Sequence, residues 1–554
     1  GRLYVIRAGG EPQPITPTAA LRYADLRLHL DRSLVLAVRE DHRAPGEPVT
    51  TLVALELAGD NAEGGRVLCS GADFYASPEL SLDDRLAWTE WNHPNMPWEA
   101  TAIMVGRLSP GPDGGSVADV QQVAGGPSEA AALPSWAPDG RLTFLSERTG
   151  WWNLYAWNGA ETTALCPESV DFCGPPWRLR TRPYAWMDDR WLAGLRICDG
   201  VVTGALVDLE TGAVTSLSED AVAVESIVAS RSVTTGRLAT VLGSPIEPNR
   251  VAAGDLTTRT WRTIRSSGGA RLDPAWISVA TGVSWDSDLG PVHGWYYPPV
   301  NPGVTAPVDE RPPLIVLSHG GPTALAGRNF STEYQYWTSR GFALLDVNYG
   351  GSAGYGRAYR ERLNSNWGVV DAADCIGGAR AVAQRGLADP DRLVISGGSA
   401  GGYTTLRALT TSTVFAAGLS SYGIADLESL AQDTHKFESR YLDGLVGPYP
   451  EARDVYRDRS PIHHVDRLSA PILLLQGSED AVVPMSQAEL MADAVRQKGL
   501  PVALIVFEGE GHGFRRRETI QAATQAEQSF LAAVLGFTPA DDLPDIEIEN
   551  LPTR

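Results

Sequence analysis

The pattern of apolar and polar residues divides the chain into two parts. Residues 1–273 form short strand-like runs that are separated by turn residues, without sustained helical periodicity. In residues 314–540, short apolar runs alternate with helical stretches such as 370–385. The first pattern is typical of antiparallel β-structure and the second of a doubly wound, mostly parallel sheet. We therefore predict two domains, with crossover strands and a Pro-rich linker at 274–313 and an acidic, solvated tail at 541–554.

The first part of the chain is internally repetitive. The segment 135–144 (SWAPDGRLTF) resembles 80–88 (LSLDDRLAW) and 184–192 (YAWMDDRWL). In each copy an Asp-Gly or Asp-Asp turn precedes an alternating strand, as a tight hairpin requires. The copies recur at roughly 40 to 56 residues, which is the size of one four-stranded propeller blade. We therefore predict a β-propeller of which about five blades and a leading strand at 3–7 are present, with a β-sandwich array as the alternative.

The second part contains a segment with the features of a catalytic serine. Residues 393–402 read LVISGGSAGG, and they pass from an apolar run into Gly-x-Ser-x-Gly before a helix-forming stretch starts at Tyr403. This strand–turn–helix order is that of a nucleophile elbow, whose sharp turn raises the hydroxyl of Ser399 above the sheet. A second copy of the motif occurs at 350–354 (GGSAG). No helix obviously starts there, and we interpret that copy as a Gly-rich turn.

Three further strand-like runs lead into residues of a catalytic type. They end in an HGG-type loop at 318–322, in Asp480 and in His512. Open α/β sheets place their sites at the carboxyl ends of the strands, so these groups can meet. The order Ser399, Asp480, His512 is that of the α/β-hydrolases, and we predict an α/β-hydrolase catalytic domain with this triad. Glu479, beside Asp480, is the competing acid.

The composition excludes several classes of function. A formal net charge of −21 over 554 residues leaves no basic stripe for nucleic acid. The negative charge could favour cationic substrates such as free N-termini, although solubility explains it equally well. We find no membrane-spanning run and no signal peptide, and we expect a cytoplasmic protein without a metal or cofactor. The five cysteines form no CxxC pair, and we favour free thiols over a pairing of Cys166 with Cys173.

The segment 311–537 resembles the catalytic domain of the prolyl oligopeptidase family of serine peptidases, and more narrowly its acylaminoacyl-peptidase and aminopeptidase branch. The similarity lies in six blocks: SHGGP (318–322), NYGGSAGYG (348–356), DPDRLVISGGSAGGYTT (389–405), THKFESRY (434–441), LLLQGSEDAVVP (473–484) and EGEGHGF (508–514). The resemblance implies a propeller in front of the hydrolase domain. Because the family's propeller usually has seven blades, we expect the ring to be N-terminally incomplete here, with a smaller ring as the alternative.

The resemblance also implies how the triad acts. An acyl-enzyme would form on Ser399, with His512 as the base that receives the proton of the hydroxyl group. The family's motif places the acid four residues before a proline, here Pro484, which favours Asp480 over its neighbour.

The oxyanion hole is predicted from the same blocks. With His319 in the loop, as in the acylaminoacyl branch, the backbone N–H groups of Ala400 and Gly321 would hold the oxyanion. The prolyl and dipeptidyl branches use a tyrosine hydroxyl instead. Tyr349 lies nearby in the sequence, and we expect it to be a packing residue.

Two departures from the family's sequence pattern narrow the range of expected substrates. No Glu-Glu pair, which anchors the substrate ammonium in dipeptidyl peptidases, occurs in the chain. Val482 stands where prolyl and acylaminoacyl enzymes often carry an arginine. Proline specificity, endopeptidase action and deacylation are therefore in doubt. For an ammonium anchor we select Glu99, with Glu90 second, in a loop rich in Trp and Pro; both are equally well explained as blade-surface charges.

An apolar substrate pocket is predicted from Val483, Phe437 and Tyr441. Phe437 and Tyr441 are spaced like neighbours on one helix face, although all three residues can also belong to the core.

We predict a serine exopeptidase that removes an unblocked, hydrophobic or aromatic N-terminal residue. Its substrates would be short peptides or small peptide-like amides such as a peptidyl nucleoside. An acylaminoacyl peptidase or a carboxylesterase with the same triad is the alternative, and a non-catalytic propeller with a relic hydrolase domain is a third. The sequence leaves open whether the protein is a monomer or a homo-oligomer.

Overall fold

The structure, a computed structural model, describes residues 1–109, 116–218, 220–230, 236–256, 258, 260–268, 272–432 and 434–552. Its N-terminal part consists of antiparallel sheets, and its C-terminal part is built on a single larger sheet. Among the described residues, none of the helices combines the length and the apolar character that crossing a membrane requires.

Five four-stranded antiparallel sheets follow one another in the described N-terminal part, preceded by a hairpin of β1 (Tyr4–Val5) and β2 (Gln13–Pro14). Blade 1 consists of Leu21–His29, Leu34–Asp41, Val49–Glu56 and Arg66–Cys69 (β3–β6), and blade 2 of Phe74–Leu80, Arg85–Trp91, Ala102–Ser109 and Ser116–Gly125 (β7–β10). Blade 3 consists of Ala131–Trp136, Leu142–Ser146, Asn153–Trp157 and Thr162–Ala164 (β11–β14), and blade 4 of Tyr184–Trp186, Trp191–Cys198, Val201–Asp208 and Val214–Ser216 (β15–β18). Blade 5 consists of Ala223–Ala229, Arg237–Gly243, Arg250–Asp255 and Thr260–Ser266 (β19–β22). The repeated Asp-Gly and Asp-Asp turns lie in the first hairpin of blades 2, 3 and 4, which confirms the predicted repeat.

Blades 1 and 2, and likewise blades 3 and 4, are bonded through their first strands, as in a propeller and unlike a two-sheet sandwich. The carboxylate of Asp25 in blade 1 accepts the N–H of Ser77 in blade 2, at 2.6 Å. The hydroxyl of Tyr184 in blade 4 donates to the carbonyl of Leu133 in blade 3, at 2.7 Å. Asp25, Ser77 and Leu133 all have positive φ and lie in β-bulges. The predicted β-propeller fold is confirmed, and the number of blades in its complete ring stays a prediction.

The second domain is built on an eight-stranded sheet in the order β23-β24-β26-β25-β27-β28-β29-β30. Its strands are Thr281–Ser287 (β23), Gly290–Tyr297 (β24), Leu314–Ser318 (β25), Ala343–Asn348 (β26), Leu393–Gly398 (β27), Ala417–Ser421 (β28), Ile472–Gly477 (β29) and Val502–Phe507 (β30). Strands β25 to β30 pair in parallel, whereas β23 and β24 pair antiparallel at one edge. The mostly parallel sheet is confirmed, and both strands of the predicted crossover segment belong to it.

Helices cover both faces of this sheet. They are Thr332–Ser339 (α1), Arg357–Arg360 (α2), Val370–Gln384 (α3), Ala400–Thr411 (α4), Leu427–Gln432 (α5), Tyr441–Leu445 (α6), Arg453–Arg459 (α7), Met485–Gln497 (α8) and Arg517–Leu535 (α9). Successive residues of a strand face opposite sides. Accordingly, Ile395 of β27 and Leu406 of α4 belong to the apolar cluster on one face, and Val394 and Phe530 of α9 belong to the cluster on the other. This doubly wound arrangement holds the carboxyl ends of the parallel strands rigidly in one row.

Buried polar contacts join the two domains. Arg360 of α2 forms a buried ion pair with Glu147 of the propeller, with N–O distances of 2.5 and 2.7 Å. Lys436 donates its ammonium to the carbonyls of Pro48 and Asp73, at 2.9 and 2.8 Å. A buried ion pair is costly to break on one side only, so these contacts hold the propeller in register with the hydrolase domain.

The C-terminal segment was expected to be solvated, and that expectation is wrong. Glu549 exchanges backbone hydrogen bonds with Val502 at the edge of the sheet, at 2.9 and 3.1 Å. Its carboxylate also accepts from the guanidinium of Arg496. Ile546 and Ile548 pack against the apolar cluster beneath α9. Apolar side chains spaced two apart give this acidic segment one face that can pair with an open sheet edge.

Candidate active site

Ser399 lies in the turn between β27 and α4 and has φ +57° and ψ −124°. A side chain at Gly397 would come within 2.4 Å of the Gly401 carbonyl oxygen, and one at Gly401 within 2.0 Å of the Ser318 carbonyl oxygen. The glycines of the motif therefore allow strand and helix to meet at close range. The helix begins at Ala400, directly after the serine and earlier than the predicted Tyr403. This is the strained geometry of a nucleophile elbow.

The structure brings the three residues of the predicted triad together. His512 Nε2 lies 2.8 Å from Ser399 Oγ, and His512 Nδ1 lies 2.8 Å from Asp480 Oδ2. Because an ionised carboxylate only accepts, Nδ1 carries a proton and donates it to Asp480. In that tautomer Nε2 carries the lone pair and can accept the hydroxyl of Ser399. The arrangement is that of a hydroxyl group prepared to lose its proton.

Asp480 is held as a carboxylate. Burial alone would raise its pKa, but the hydrogen bond from His512 and the N–H groups of Val483 and Val482, each at 2.9 Å, outweigh that effect. The pKa of Asp480 is therefore below its ordinary value. Glu479, the competing acid, is exposed, and its N–H donates to the Glu510 carbonyl at 2.9 Å. The local geometry thus selects Asp480 as the partner of the histidine.

The loop after β25 passes against the nucleophile. A Cβ built on Gly320 would lie 3.6 Å from the Cβ of Ser399. Gly321, with φ +122°, lines the cavity above the serine, and so does Ala400. The N–H of Ala400 is the first of α4 and has no partner within the helix. Both residues predicted to supply the oxyanion donors therefore line the cavity that contains Ser399.

A second serine–histidine contact supports this loop. Ser352 is fully buried, and its Oγ lies 2.7 Å from Nε2 of His319. His319 Nδ1 lies 2.9 Å from the Gly320 carbonyl oxygen, and burial lowers the pKa of the ring to about 4. The neutral ring therefore donates to Gly320 and accepts from Ser352. Tyr349 stacks on it, with ring centroids 4.2 Å apart, and donates its hydroxyl to the His319 carbonyl at 2.9 Å.

The sequence motif at Ser352 is thus a turn, as interpreted, but it also has a role that sequence reasoning missed. The turn delivers a hydroxyl group to the histidine of the neighbouring loop. The signal for this role is the closeness of a serine and a histidine for a second time in the fold. It can be recognised only when the turn with Ser352 and the loop with His319 are placed side by side. The Tyr349 hydroxyl contacts backbone carbonyls of the same loop, as expected of a packing residue.

Ser399 opens into a cavity of about 920 Å³ between the domains. Trp177 and Arg178 line it from the propeller side, and the indole of Trp177 donates to the Thr323 carbonyl at 2.5 Å. An apolar part of the wall is formed by Trp367, Ile424, Leu430, Tyr441, Leu442, Leu445 and Val483. A cavity of this size can enclose only a short peptide or a small amide.

Two of the three residues predicted for the apolar pocket line this cavity. Val483 and Tyr441 do, and the Tyr441 hydroxyl is held at 2.6 Å from Thr323 Oγ1. Phe437 does not, because it packs between Phe74 and Trp177 in a neighbouring apolar space, with ring centroids 5.9 and 6.2 Å apart. Helix α6 begins only at Tyr441, so the assumed helical spacing from Phe437 is absent.

Neither glutamate predicted as the ammonium anchor faces the catalytic cavity, and this is a correction. Glu90 accepts the indole N–H of Trp88 at 2.7 Å, within blade 2. Glu99 accepts the N–H of Met96 at 2.7 Å and lines a separate cavity between the domains. Both carboxylates are directed by local hydrogen bonds that the loop makes with itself.

The carboxyl groups that do line the catalytic cavity were missed. Glu438 lies in it near His435, at an N–O distance of 3.6 Å. Burial raises the pKa of Glu438, while the His435 and His512 rings act in the opposite direction. Glu333 and Glu527 form a second acidic region, where burial and the neighbouring Glu333 raise the pKa of Glu527 to about 8. The block THKFESRY contained one of these residues, but only the fold shows which elements share the cavity.

Comparison with known proteins agrees with this geometry. A sequence model described as the prolyl oligopeptidase family matches residues 328–538. A structure described as a Mycobacterium tuberculosis puromycin-hydrolyzing peptidase is 40% identical, with a TM-score of 0.92, and covers 99% of this chain and 85% of that one. The chain belongs to the prolyl oligopeptidase family. Propeller and hydrolase domain are thus shared with a family relative over nearly the whole chain.

Two curated relatives match part of this member of the prolyl oligopeptidase family. Dipeptidyl aminopeptidase BIII of Pseudoxanthomonas mexicana is 32% identical over 41% of this chain and 34% of the relative. The acylamino-acid-releasing enzyme of Arabidopsis thaliana is 31% identical over 37% and 28%. The matched part thus spans about a third of the length of these curated relatives.

The described cysteines are free thiols, including the buried Cys166 and Cys173.

Proposed function

We propose that the protein is a serine exopeptidase that hydrolyses the amide bond after an unblocked hydrophobic or aromatic N-terminal residue. The observation that carries the proposal is the hydrogen-bonded row of Ser399, His512 and Asp480 at the floor of a small cavity. The likeness to a puromycin-hydrolyzing peptidase supports a small substrate rather than a folded protein.

The proposed chemistry follows from the positions of these atoms. His512 Nε2 takes the proton of Ser399 Oγ as the oxygen attacks the scissile carbonyl carbon, and Asp480 stabilises the resulting imidazolium. The N–H groups of Ala400 and Gly321 hold the oxyanion. His512 then gives the proton to the leaving amine, and an ester on Ser399 remains. Water, deprotonated by His512, attacks this ester and releases the amino acid and the free serine.

Glu438 is our candidate for the ammonium anchor, in place of Glu99 and Glu90. It lines the same cavity as the triad and lies close enough to His512 for the ring to influence its ionisation. A carboxylate that is largely shielded from water binds an ammonium group more strongly than an exposed one does. The apolar wall that includes Tyr441 and Val483 would hold the side chain of the same residue.

An acylaminoacyl peptidase is the second candidate function. The likeness of part of the chain to an acylamino-acid-releasing enzyme favours it. An acylated N-terminus is neutral, so it would gain nothing from the carboxylate of Glu438. The two functions therefore differ in their dependence on this one charge.

The test compares a phenylalanine arylamide with its N-acetyl counterpart in the wild type and in Glu438→Gln. We expect cleavage of the free-amine substrate, and a 10- to 100-fold rise of its KM in the variant, as for loss of a charged hydrogen bond. Glu99→Gln and Glu90→Gln are matched controls that should leave KM unchanged. A wild type that cleaves the acetylated substrate better would replace the exopeptidase proposal by the second candidate.

The pH dependence sharpens this test. Because the pKa of Glu438 is raised, its carboxylate is lost as the pH falls through that raised value. We expect KM for the free-amine substrate to increase on the acid side, and we expect Glu438→Gln to lack that limb of the profile. If the acid-side increase of KM persists in the variant, it is caused by the titration of a group other than Glu438.

A further inference from the structure

Arg178 is a cation in the wall of a cavity that otherwise carries acidic groups. Four carboxyl side chains line the catalytic cavity, those of Glu333, Asp346, Glu438 and Glu527. Among the described residues that line it, Arg178 is the only arginine or lysine. The protein as a whole is also acidic, with a formal net charge of −21. An anion in this cavity is therefore repelled by the ionised carboxylates and attracted by one guanidinium.

The guanidinium of Arg178 is not used by the protein itself. The side chain is exposed, and within the described ranges it makes no hydrogen bond and no ion pair. By contrast, Arg148, Arg190 and Arg196 in the two adjacent blades each pair with a carboxylate, at 2.9, 2.6 and 2.6 Å. A guanidinium has five N–H donors and no acceptor. All five donors of Arg178 are thus available to a ligand in the cavity.

The backbone that carries Arg178 is held against the hydrolase domain. The indole of the preceding Trp177 donates to the carbonyl of Thr323, in the loop after β25, at 2.5 Å. The same indole packs on Tyr441, with ring centroids 5.8 Å apart. The carbonyl of Arg178 accepts the hydroxyl of Thr181 at 2.7 Å. The guanidinium therefore extends into the catalytic cavity from a fixed base on the propeller side.

We propose that Arg178 binds the free C-terminal carboxylate of a short peptide whose ammonium group is bound by Glu438. Glu438 belongs to the hydrolase domain, and no ion pair joins it with Arg178 in the described structure. Two opposite charges that are held apart in one cavity match a zwitterion, in which the peptide itself keeps the two charges apart. This inference rests on the proposed exopeptidase function and specifies its substrate class, short peptides with both ends free.

The chemistry of the guanidinium favours this ligand. Arginine binds carboxylates and phosphates through two parallel N–H donors, and these charge-assisted bonds are stronger than those between neutral groups. A carboxylate is the anion that every unblocked peptide carries. In a long peptide that carboxylate would lie outside a cavity of about 920 Å³. Binding at Arg178 would therefore favour short substrates over long ones.

The experiment compares the tripeptide Phe-Gly-Gly with its C-terminal amide. The two share the scissile bond and the residue that leaves, and they differ in the charge at the far end. For the wild type we expect kcat/KM to be about tenfold higher for the acid than for the amide. Equal values, or a preference for the amide, would overturn the inference without any variant.

Failure of the proposed function has a different result. A wild type that cleaves neither the two peptides nor the phenylalanine arylamide would contradict the exopeptidase function itself. Cleavage of the arylamide without cleavage of either peptide would leave that function in place and overturn the inference about Arg178.

Arg178→Gln provides the second measurement, because glutamine can still donate a hydrogen bond but carries no charge. We expect the ratio of kcat/KM for acid and amide to fall to about one or less, since the carboxylates of the cavity then act on the substrate unopposed. Arg180→Gln is the matched control. Arg180 is also exposed but lines a separate cavity in the propeller, so its variant should keep the wild-type ratio. A ratio that is unchanged in Arg178→Gln, or that falls equally in Arg180→Gln, would overturn the inference.

Discussion

The chain contains the pentapeptide Gly-Gly-Ser-Ala-Gly twice, at 350–354 and at 397–401, and the two copies have different structures. Each follows a buried parallel strand, and in each the serine oxygen contacts Nε2 of a histidine, at 2.7 Å in one copy and 2.8 Å in the other. Ser399 stands at positive φ in front of a helix and faces the cavity. Ser352 is fully buried in a turn, and no helix starts directly after it.

The two histidines explain why only one copy is suited to catalysis. His512 donates its Nδ1–H to the carboxylate of Asp480, which can stabilise a positive charge on the ring. His319 donates to the neutral Gly320 carbonyl, and its burial lowers its pKa to about 4. A proton moved from Ser352 to His319 would leave a buried alkoxide at Ser352 and a cationic ring whose Nδ1 faces a neutral carbonyl. A serine next to a histidine is therefore not sufficient; the third group decides whether the pair can move a proton.

The largest effect that tests this comparison comes from the two serines themselves. Ser399→Ala should lower kcat by at least about 10,000-fold, because it removes the atom that forms the ester. Ser352→Ala should lower kcat less than about tenfold, although loss of the donor to His319 should destabilise the fold by about 1–3 kcal/mol. The measurements are kcat on the phenylalanine arylamide and thermal unfolding. A comparable loss of kcat in both variants would show that the two serine–histidine pairs are not separate in function.

The fold and the triad could be predicted because both depend on local pattern. Ser399, Asp480 and His512 each follow an apolar run, and parallel strands bring their carboxyl ends to one edge of the sheet. The propeller was recognisable because the same turn recurs in blade after blade. In both cases a short stretch of sequence specifies its local structure, and contacts with the rest of the chain do not change that structure.

The substrate-binding residues could not be predicted in the same way, because they depend on contacts between distant segments. Glu99 was assigned from its rigid loop, but its carboxylate accepts the N–H of Met96 in its own turn. Phe437 and Tyr441 were assigned to one helix face, but α6 begins only at Tyr441. Glu438 comes near His512 only because a connection after β28 folds back over the cavity. Spacing along the chain does not show which of several elements will enclose a shared cavity.

A smaller effect is expected at the loop that both pairs border. Gly321→Ala should lower kcat by about 100-fold, because a Cβ there would lie 2.8 Å from the Thr323 N atom at φ +122° and would displace the predicted oxyanion donor. Gly341→Ala is the matched control. It also has positive φ, at +89°, but a Cβ there meets no atom within 4 Å. This control variant should be less stable than the wild type and should have the same kcat. Equal values of kcat in the two variants would show that Gly321 is not part of the oxyanion hole.

The smallest expected effect separates the two histidines by pH. The pKa of His319 is lowered from 6.5 to about 4 by burial, so its neutral form stabilises the fold fully above pH 6.5, and that stability is lost as the pH falls through about 4. His319→Asn can keep a donor towards Gly320 and has no ring to protonate, so its melting temperature should fall less steeply between pH 6.5 and 4 than that of the wild type. His463→Asn, at an exposed position, is the control and should follow the wild type. If the melting temperature of the His319 variant depends on pH as that of the wild type does, the pKa of His319 is not lowered. The proposed difference between His319 and His512 would then be wrong.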